Sequence, residues 1–276
     1  MTGATGFVGR HVLAALAAHD LELSVAVRPE RPLPALPARA RAVVLDMDDA
    51  GPHTFDQLGR PDVLLHLAWS GLPHYAAATH LEVELPRQRQ FLEACVQGGL
   101  RRLVVTGTCL EYGMQEGELF EDRPAAPTTA YATAKHRLHE DLQAWRGTHG
   151  LELAWLRIFY LFGPGQAASS LFSQLHAAID RGDTHFPMSP GNQVRDFMPV
   201  EQAATEIARL TLRPTDAGTL NLCSGKPTRV IDIARRWVAE RGADILLDTG
   251  RFPYPTYEPM SFWGNRSRLD QLLEAP

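Results

Sequence analysis

Through the first half of the chain, short apolar runs alternate with stretches of helical periodicity. Leu21–Val27, Ala42–Asp46, Asp62–Ala68, Arg102–Thr106 and Leu151–Phe159 read as strands. Leu81–Gln97 places Leu81, Leu85, Phe91, Leu92 and Cys95 near one another in helical projection, and Tyr131–Trp145 reads as a second helix. Near the start, Phe7, Val8, Val12, Leu13 and Leu16 form the apolar stripe of a further helix. Strands and helices in alternation predict a parallel sheet covered on both faces. Between Arg28 and Arg41 four prolines, Pro29, Pro32, Pro34 and Pro37, exclude a regular helix or an interior strand.

The pattern changes after residue 160. Gly163-Pro164-Gly165 makes a loop, and Leu171–Arg181, Glu201–Leu212 and Val230–Arg241 read as helices. Val194–Met198 and Ala217–Leu222 read as strands, Phe252–Gly264 is rich in proline and aromatics, and Ser267–Leu273 ends the chain as a short helix. The division expected is a Rossmann-like α/β domain over residues 1–160 and a smaller, discontinuous substrate-binding region over 161–276. Residues 194–213 return to the first domain.

Composition narrows the class. The 276 residues are 45% hydrophobic and 21% charged, ordinary for a globular protein, and the net charge of -5 gives no reason to expect nucleic acid or an anionic membrane as partner. The three cysteines, Cys95, Cys109 and Cys223, form no C-x-x-C pair. Free thiols in a reducing, cytoplasmic setting are expected, and no metal site. The glycine-rich first residues lead us to expect no signal peptide, and no apolar run reaches about 20 residues.

The chemistry begins at the first residues. Gly3, Gly6 and Gly9 form a G-x-x-G-x-x-G loop that opens the first helix. Such glycines permit a tight turn, a close approach of pyrophosphate, and packing of helix on sheet, with backbone N–H groups facing the phosphates. Plain turn glycines are the bland reading, and the alternating α/β pattern disfavours it. An NAD site usually carries an acid at the end of the second strand; Arg28 stands here, with Arg31 close by. A guanidinium pairs well with a 2′-phosphate, so NADP(H) is favoured over NAD(H). The alternative is that both arginines are solvated. Asp46 is placed to accept from an adenine amino group with Met47 over the ring, or is a plain turn aspartate.

Tyr131 and Lys135 stand four residues apart, on one helix face. A phenol can protonate a carbonyl oxygen as hydride reaches its carbon; a neighbouring ammonium lowers the phenol pKa and can hold a ribose. Thr108, after a buried-looking strand, can hydrogen-bond the same substrate oxygen. Trp69, Ser70, Gly71 and His74 follow the third strand, where cofactor and substrate are expected to meet; Trp69 as core and His74 as a surface residue are the alternatives.

Taken together, these motifs resemble the extended short-chain dehydrogenase/reductase family, in its nucleotide-sugar epimerase/dehydratase/reductase branch, over nearly the whole chain. Thr2–Gly9 is similar to the family's fingerprint, including Thr5, Phe7 and Val8. Asp46-Met47 resembles its adenine-binding pair, and His66-Leu67-Ala68 the segment behind the cofactor. The resemblance implies catalytic roles for Thr108 and Tyr131 and ribose binding for Lys135. Arg157–Gly165 is similar to the stretch after the sixth strand, and Arg195-Asp196-Phe197 to a segment whose arginine binds the substrate diphosphate. Arg268 is a second arginine candidate, and Tyr160 a substrate neighbour. Cys109-Leu110 stand where 4,6-dehydratases carry Asp-Glu, which argues against water elimination. Glu84 and Tyr160 replace asparagines, and the second change implies a reshaped substrate pocket.

The expectation is an NADPH-dependent reductase of a nucleotide-linked keto-sugar, of the 4-keto-6-deoxyhexose kind. An NAD-dependent 4-epimerase and a non-catalytic dinucleotide binder are the alternatives. By resemblance, a homodimer built on the helices at 81–97 and 131–145 is expected. One feature stands apart: strand one of this fold is central, and the chain begins where that strand ends. Either an upstream stretch is missing from this sequence, or the sheet centre holds a gap or a substitute strand.

Overall fold

The computed structural model describes residues 1–30, 36–214 and 216–274. Its elements in chain order begin with α1 (Phe7–Leu16), β1 (Leu23–Val27), β2 (Ala40–Val44), α2 (Thr54–Gln57), β3 (Leu64–His66) and α3 (Leu85–Gln97). There follow β4 (Arg102–Thr108), β5 (Gly117–Leu119), α4 (Ala130–His149), β6 (Glu152–Ile158) and β7 (Tyr160–Phe162). The second half adds α5 (Leu171–Asp180), β8 (His185–Met188), β9 (Val194–Pro199), α6 (Val200–Leu212) and β10 (Gly218–Leu222). It closes with β11 (Pro227–Arg229), α7 (Val230–Glu240), β12 (Leu246–Thr249), β13 (Phe262–Gly264) and α8 (Ser267–Glu274). No helix among the described residues is long and apolar enough to cross a membrane.

The parallel sheet runs in two blocks. One is β10-β6-β4-β3; the other is the pair β1-β2. Among the described residues, Met1 and Thr2 stand between them. Thr2 donates its N–H to the Leu65 oxygen (3.0 Å), and the Ala26 N–H donates to the Met1 oxygen (2.9 Å). Beneath this two-residue link lies a cleft of about 940 Å³, walled by Leu23, Ser24 and Arg41 on one side and Leu64 and Arg102 on the other.

Strands β4 and β6 are buried almost throughout, because helices cover both faces of the sheet. On one face α1 and α6 pack together, burying Val12, Leu13 and Leu16 against Ala203, Ala204 and Ile207. On the other, α3 and α4 bury Phe91, Leu92, Leu138 and Leu142 against Leu103 and Leu153. A separate apolar cluster joins α5, α7 and β8 around Trp237.

Several bounds differ from the sequence reading for local reasons. The second strand ends at Val44, two residues early, because Asp46 turns aside: its Oδ1 accepts the Asp48 N–H (3.0 Å) and starts a 3-10 turn. The helix expected from Leu81 begins as a π-helical turn at His80–Glu84. Helix α4 outruns its expected end by four residues, to a left-handed Gly150. Residues 31–35, which include Arg31, Pro32 and Pro34, lie outside the described residues.

Candidate active site

The first loop shows why two of its glycines are needed. Gly3 has φ +71, and a Cβ there would lie 2.7 Å from the Ala68 nitrogen. A Cβ on Gly9 would meet the Gly3 oxygen at 2.0 Å. Gly6 is the N-cap of α1, so the first-turn N–H groups face outward from the loop. This cradle fits a dinucleotide's pyrophosphate. Gly9→Ala is therefore expected to cost about 3 kcal/mol of stability and to abolish NAD(P)H binding. Thermal unfolding and a fluorescence titration with NADH and NADPH check both; a wild-type titration curve would contradict the cradle's role.

Two cavities share Gly3, Gly6, Leu67 and Trp69 as walls. The first, about 580 Å³, is lined by Thr5, Arg28, Asp46, Met47, Ala68 and Ser70, with Glu30, Glu84 and Arg87. The second, about 350 Å³, is lined by Phe7, Val8, Gly9, Thr108, Tyr131, Lys135 and Tyr160. All the expected cofactor residues within the described part of the chain therefore line one continuous site. The cleft at the sheet centre is larger but contains none of the three catalytic candidates.

Thr108 is the last residue of β4 and is held by a capping box. Its N–H donates to Glu111 Oε1 (2.8 Å), and its Oγ1 accepts the Leu110 N–H (3.2 Å). Glu111 is fully buried and also receives Trp155 Nε1 (3.1 Å) and Arg157 Nε (3.0 Å). Tyr131 sits in the first turn of α4, whose N-cap is Thr129, and its N–H donates to the Tyr75 oxygen (2.9 Å). Lys135 lies one turn on. Its Nζ donates to the Thr106 oxygen (2.7 Å) and stands 4.1 Å from the centre of the Trp69 ring.

Electrostatics set the resting protonation states. Burial brings the Lys135 ammonium down to about 7, opposed by Glu111 and Glu84. Burial raises the Tyr131 phenol, with Tyr75, Glu111 and Cys109 adding to it and Thr108 opposing. The expected lowering of the phenol by Lys135 does not carry the balance here; desolvation wins, and the group rests as a phenol, the form that donates a proton.

Arg195 and Arg268 are not among the cavity walls. Arg195 is 2% exposed, and its NH2 donates to Glu258 Oε2 (2.8 Å) while NH1 donates to the Val194 and Met260 oxygens. Glu258 itself lines the smaller cavity, as do Tyr75 and Tyr160. Arg268 is exposed at the far end of the sheet, donating to the Ala217 oxygen before β10 (2.8 Å). Ser70 faces the larger cavity, its N–H donating to Glu84 Oε1 (3.0 Å). Asp196 organises backbone: it accepts the Ser224 and Gly225 N–H groups and the Ser224 hydroxyl.

Sequence reasoning missed Glu111, Tyr75, His80 and Glu258. Only Glu111 carried a readable signal, the Thr-x-x-Glu spacing of Thr108 and Glu111. The others meet the site through tertiary contacts.

The NAD dependent epimerase/dehydratase family model matches residues 1–223. The chain is 25% identical over 285 residues to a dTDP-6-deoxy-L-talose 4-dehydrogenase (NAD(+)) of Aggregatibacter actinomycetemcomitans, covering 96% of this chain and 98% of that one. It is 25% identical over 305 residues to a dTDP-L-rhamnose 4-epimerase of Burkholderia thailandensis, covering 91% of this chain and 83% of that one. The solved structure of MoeE5 in complex with UDP-glucuronic acid and NAD superposes with a TM-score of 0.81 at 26% identity, covering 99% of this chain and 91% of that one.

Proposed function

Because the chain belongs to the NAD dependent epimerase/dehydratase family, and is thereby an NAD(P)-dependent enzyme of the extended short-chain dehydrogenase/reductase type, we propose that it is an NADPH-dependent reductase of a nucleotide-linked 4-keto-6-deoxyhexose. The observation that carries this reading is the convergence of Thr108, Tyr131 and Lys135 on one cavity that adjoins the glycine loop. A dinucleotide bound there supplies the hydride. The chain's residues do the rest: Thr108 and Tyr131 hold the carbonyl oxygen, Tyr131 gives it a proton, and Lys135 keeps the donor pair in place.

The relatives favour net oxidation–reduction. Relatives named as dTDP-6-deoxy-L-talose 4-dehydrogenases, one using NAD(+) and one NAD(P)(+), point to oxidation–reduction at C4 of a 6-deoxyhexose. Cys109 and Leu110 stand beside Thr108 in the cavity wall and offer no acid/base pair for dehydration; burial raises the Cys109 thiol. A 4-epimerase is the second reading, favoured by the relative named dTDP-L-rhamnose 4-epimerase.

Incubation with NADPH and a panel of nucleotide-linked 4-keto sugars tests the proposal. Stoichiometric NADPH consumption is the expected result. Inversion at C4 of the corresponding nucleotide-linked 4-hydroxy sugars, with no net NADPH consumed, would establish the epimerase instead, and tight cofactor binding with no reaction on either set of sugars would sink the enzymatic reading.

The NADPH preference rests on Arg28, exposed on the wall of the larger cavity. Arg28→Glu is expected to weaken NADPH by at least about tenfold relative to NADH, as befits loss of a charge-assisted contact. Equal effects on the two cofactors would reject that assignment. The homodimer through α3 and α4 belongs to the same proposal; sedimentation or light scattering decides it.

A further inference from the structure

Trp69 and His80 form a unit that the proposed chemistry does not by itself require. The Trp69 indole Nε1, which can only donate, donates to His80 Nδ1 (3.2 Å). That bond fixes the imidazole tautomer, leaving the His80 Nε2–H to donate to the His74 oxygen (3.1 Å). His80 is 1% exposed, and its ring lies near-parallel to the indole at 6.3 Å and 5.3 Å from the Tyr131 ring. Gly71, at φ +85, leaves the space the imidazole needs: a Cβ there would lie 2.9 Å from His80 Cε1.

The backbone shows how the unit is placed. His80 opens the π-helical turn His80–Glu84, and Glu84 closes it. The widened turn grips the segment after β3 twice, through His80 on the Trp69 side chain and through Glu84 on the Ser70 N–H. Single π-turns inside helices frequently mark functional positions. The same indole covers the Lys135 ammonium at 4.1 Å, a cation–π distance.

We propose that His80 is a positioning residue for the catalytic lysine, clamping the Trp69 indole over the Lys135 ammonium so that a cation–π contact supports its charge in a buried site. The proposal rests on the reading that Lys135 serves the reaction. The other groups near Lys135 are Glu111 from the turn after β4, Glu84 from the π-turn and His66 from β3, with Tyr131 of its own helix lining the same cavity and Trp155 farther off at 6.0 Å. Glu111 and Glu84 act in the same direction as the indole, favouring the ammonium against burial.

The chain has only two lysines, Lys135 and the exposed Lys226. Protein labelled with 13C-lysine therefore gives two side-chain signals, which Lys226→Arg assigns, and the Lys135 titration is read directly. In His80→Leu the midpoint is expected to fall by about one unit, the loss of a desolvated cation–π contact. Trp69→Leu should lower it equally, and His80→Leu/Trp69→Leu no further. His80→Gln, whose amide can accept from the indole and donate to the His74 oxygen, should keep the wild-type midpoint. A midpoint that stays or rises in His80→Leu overturns the proposal, as does His80→Gln behaving like His80→Leu. Should His80→Leu fail to fold, Trp69→Phe decides, since it keeps an aromatic face but loses the Nε1–H that His80 holds, and its midpoint must fall. The titration needs neither substrate nor cofactor, so absent turnover would count against the functional reading and leave this result standing.

Discussion

Tyr131→Phe is expected to lower turnover by about 10²–10⁴-fold, the usual contribution of a positioned proton donor, while leaving NADPH affinity nearly unchanged. The phenyl ring keeps what the fold needs from this position. It still packs against Trp69, Tyr75 and His80, whose ring centres lie 5.9, 5.6 and 5.3 Å away. The backbone N–H still donates to the Tyr75 oxygen. Only the hydroxyl is lost, and with it the proton. Single-turnover rates with the responsive keto-sugar, set beside a cofactor titration, separate the two effects. A variant that retains a tenth or more of the wild-type rate would remove Tyr131 from its catalytic role.

The second large effect is on stability in acid. His66 and His139 are both brought down from 6.5 to about 3, mainly by burial. Each is neutral in the folded chain and engaged as such. His66 Nδ1 pairs with the Thr2 hydroxyl (3.0 Å) and its Nε2 with Gln88 Oε1 (2.6 Å). His139 stacks on Trp155 at 4.8 Å and its Nε2 meets the Thr219 hydroxyl (3.1 Å). Below pH 6.5 the unfolded chain takes up protons that the folded chain refuses. Stability present above 6.5 is therefore lost as pH falls toward 3, by about 1.4 kcal/mol per pH unit for each histidine. Asp196, raised by burial, opposes this loss at the acid end. Urea unfolding between pH 6.5 and 4 measures the slope, and His139→Gln should reduce it by about one proton. A stability independent of pH over that range would contradict the assignment of both histidines as buried and neutral.

What could be read from the sequence is what short segments specify by themselves. The glycine loop, the Tyr131–Lys135 spacing and the hydroxyl at the end of β4 each work through neighbours within a few residues. All three appear where the pattern places them, around one pair of cavities. Strand bounds were less legible: Asp46 ends β2 through a side-chain contact that hydrophobic pattern does not encode. Long-range pairing was illegible. Nothing near Arg195 announces that Glu258, 63 residues on, neutralises it and lines the cavity in its place. Nor does anything around His80 announce a bond to Trp69 across the loop between them. Arg268 was selected for its charge alone, and the register of the final helix carries it to the opposite end of β10.

The larger cavity draws its walls from separate parts of the chain: the end of β1 supplies Val27 and Arg28, while the loops before α1 and after β3 supply Gly3 and Leu67. A ligand filling that cavity ties these elements together, so protection of the β1 amides against deuterium exchange should rise with ligand concentration and saturate with its binding isotherm.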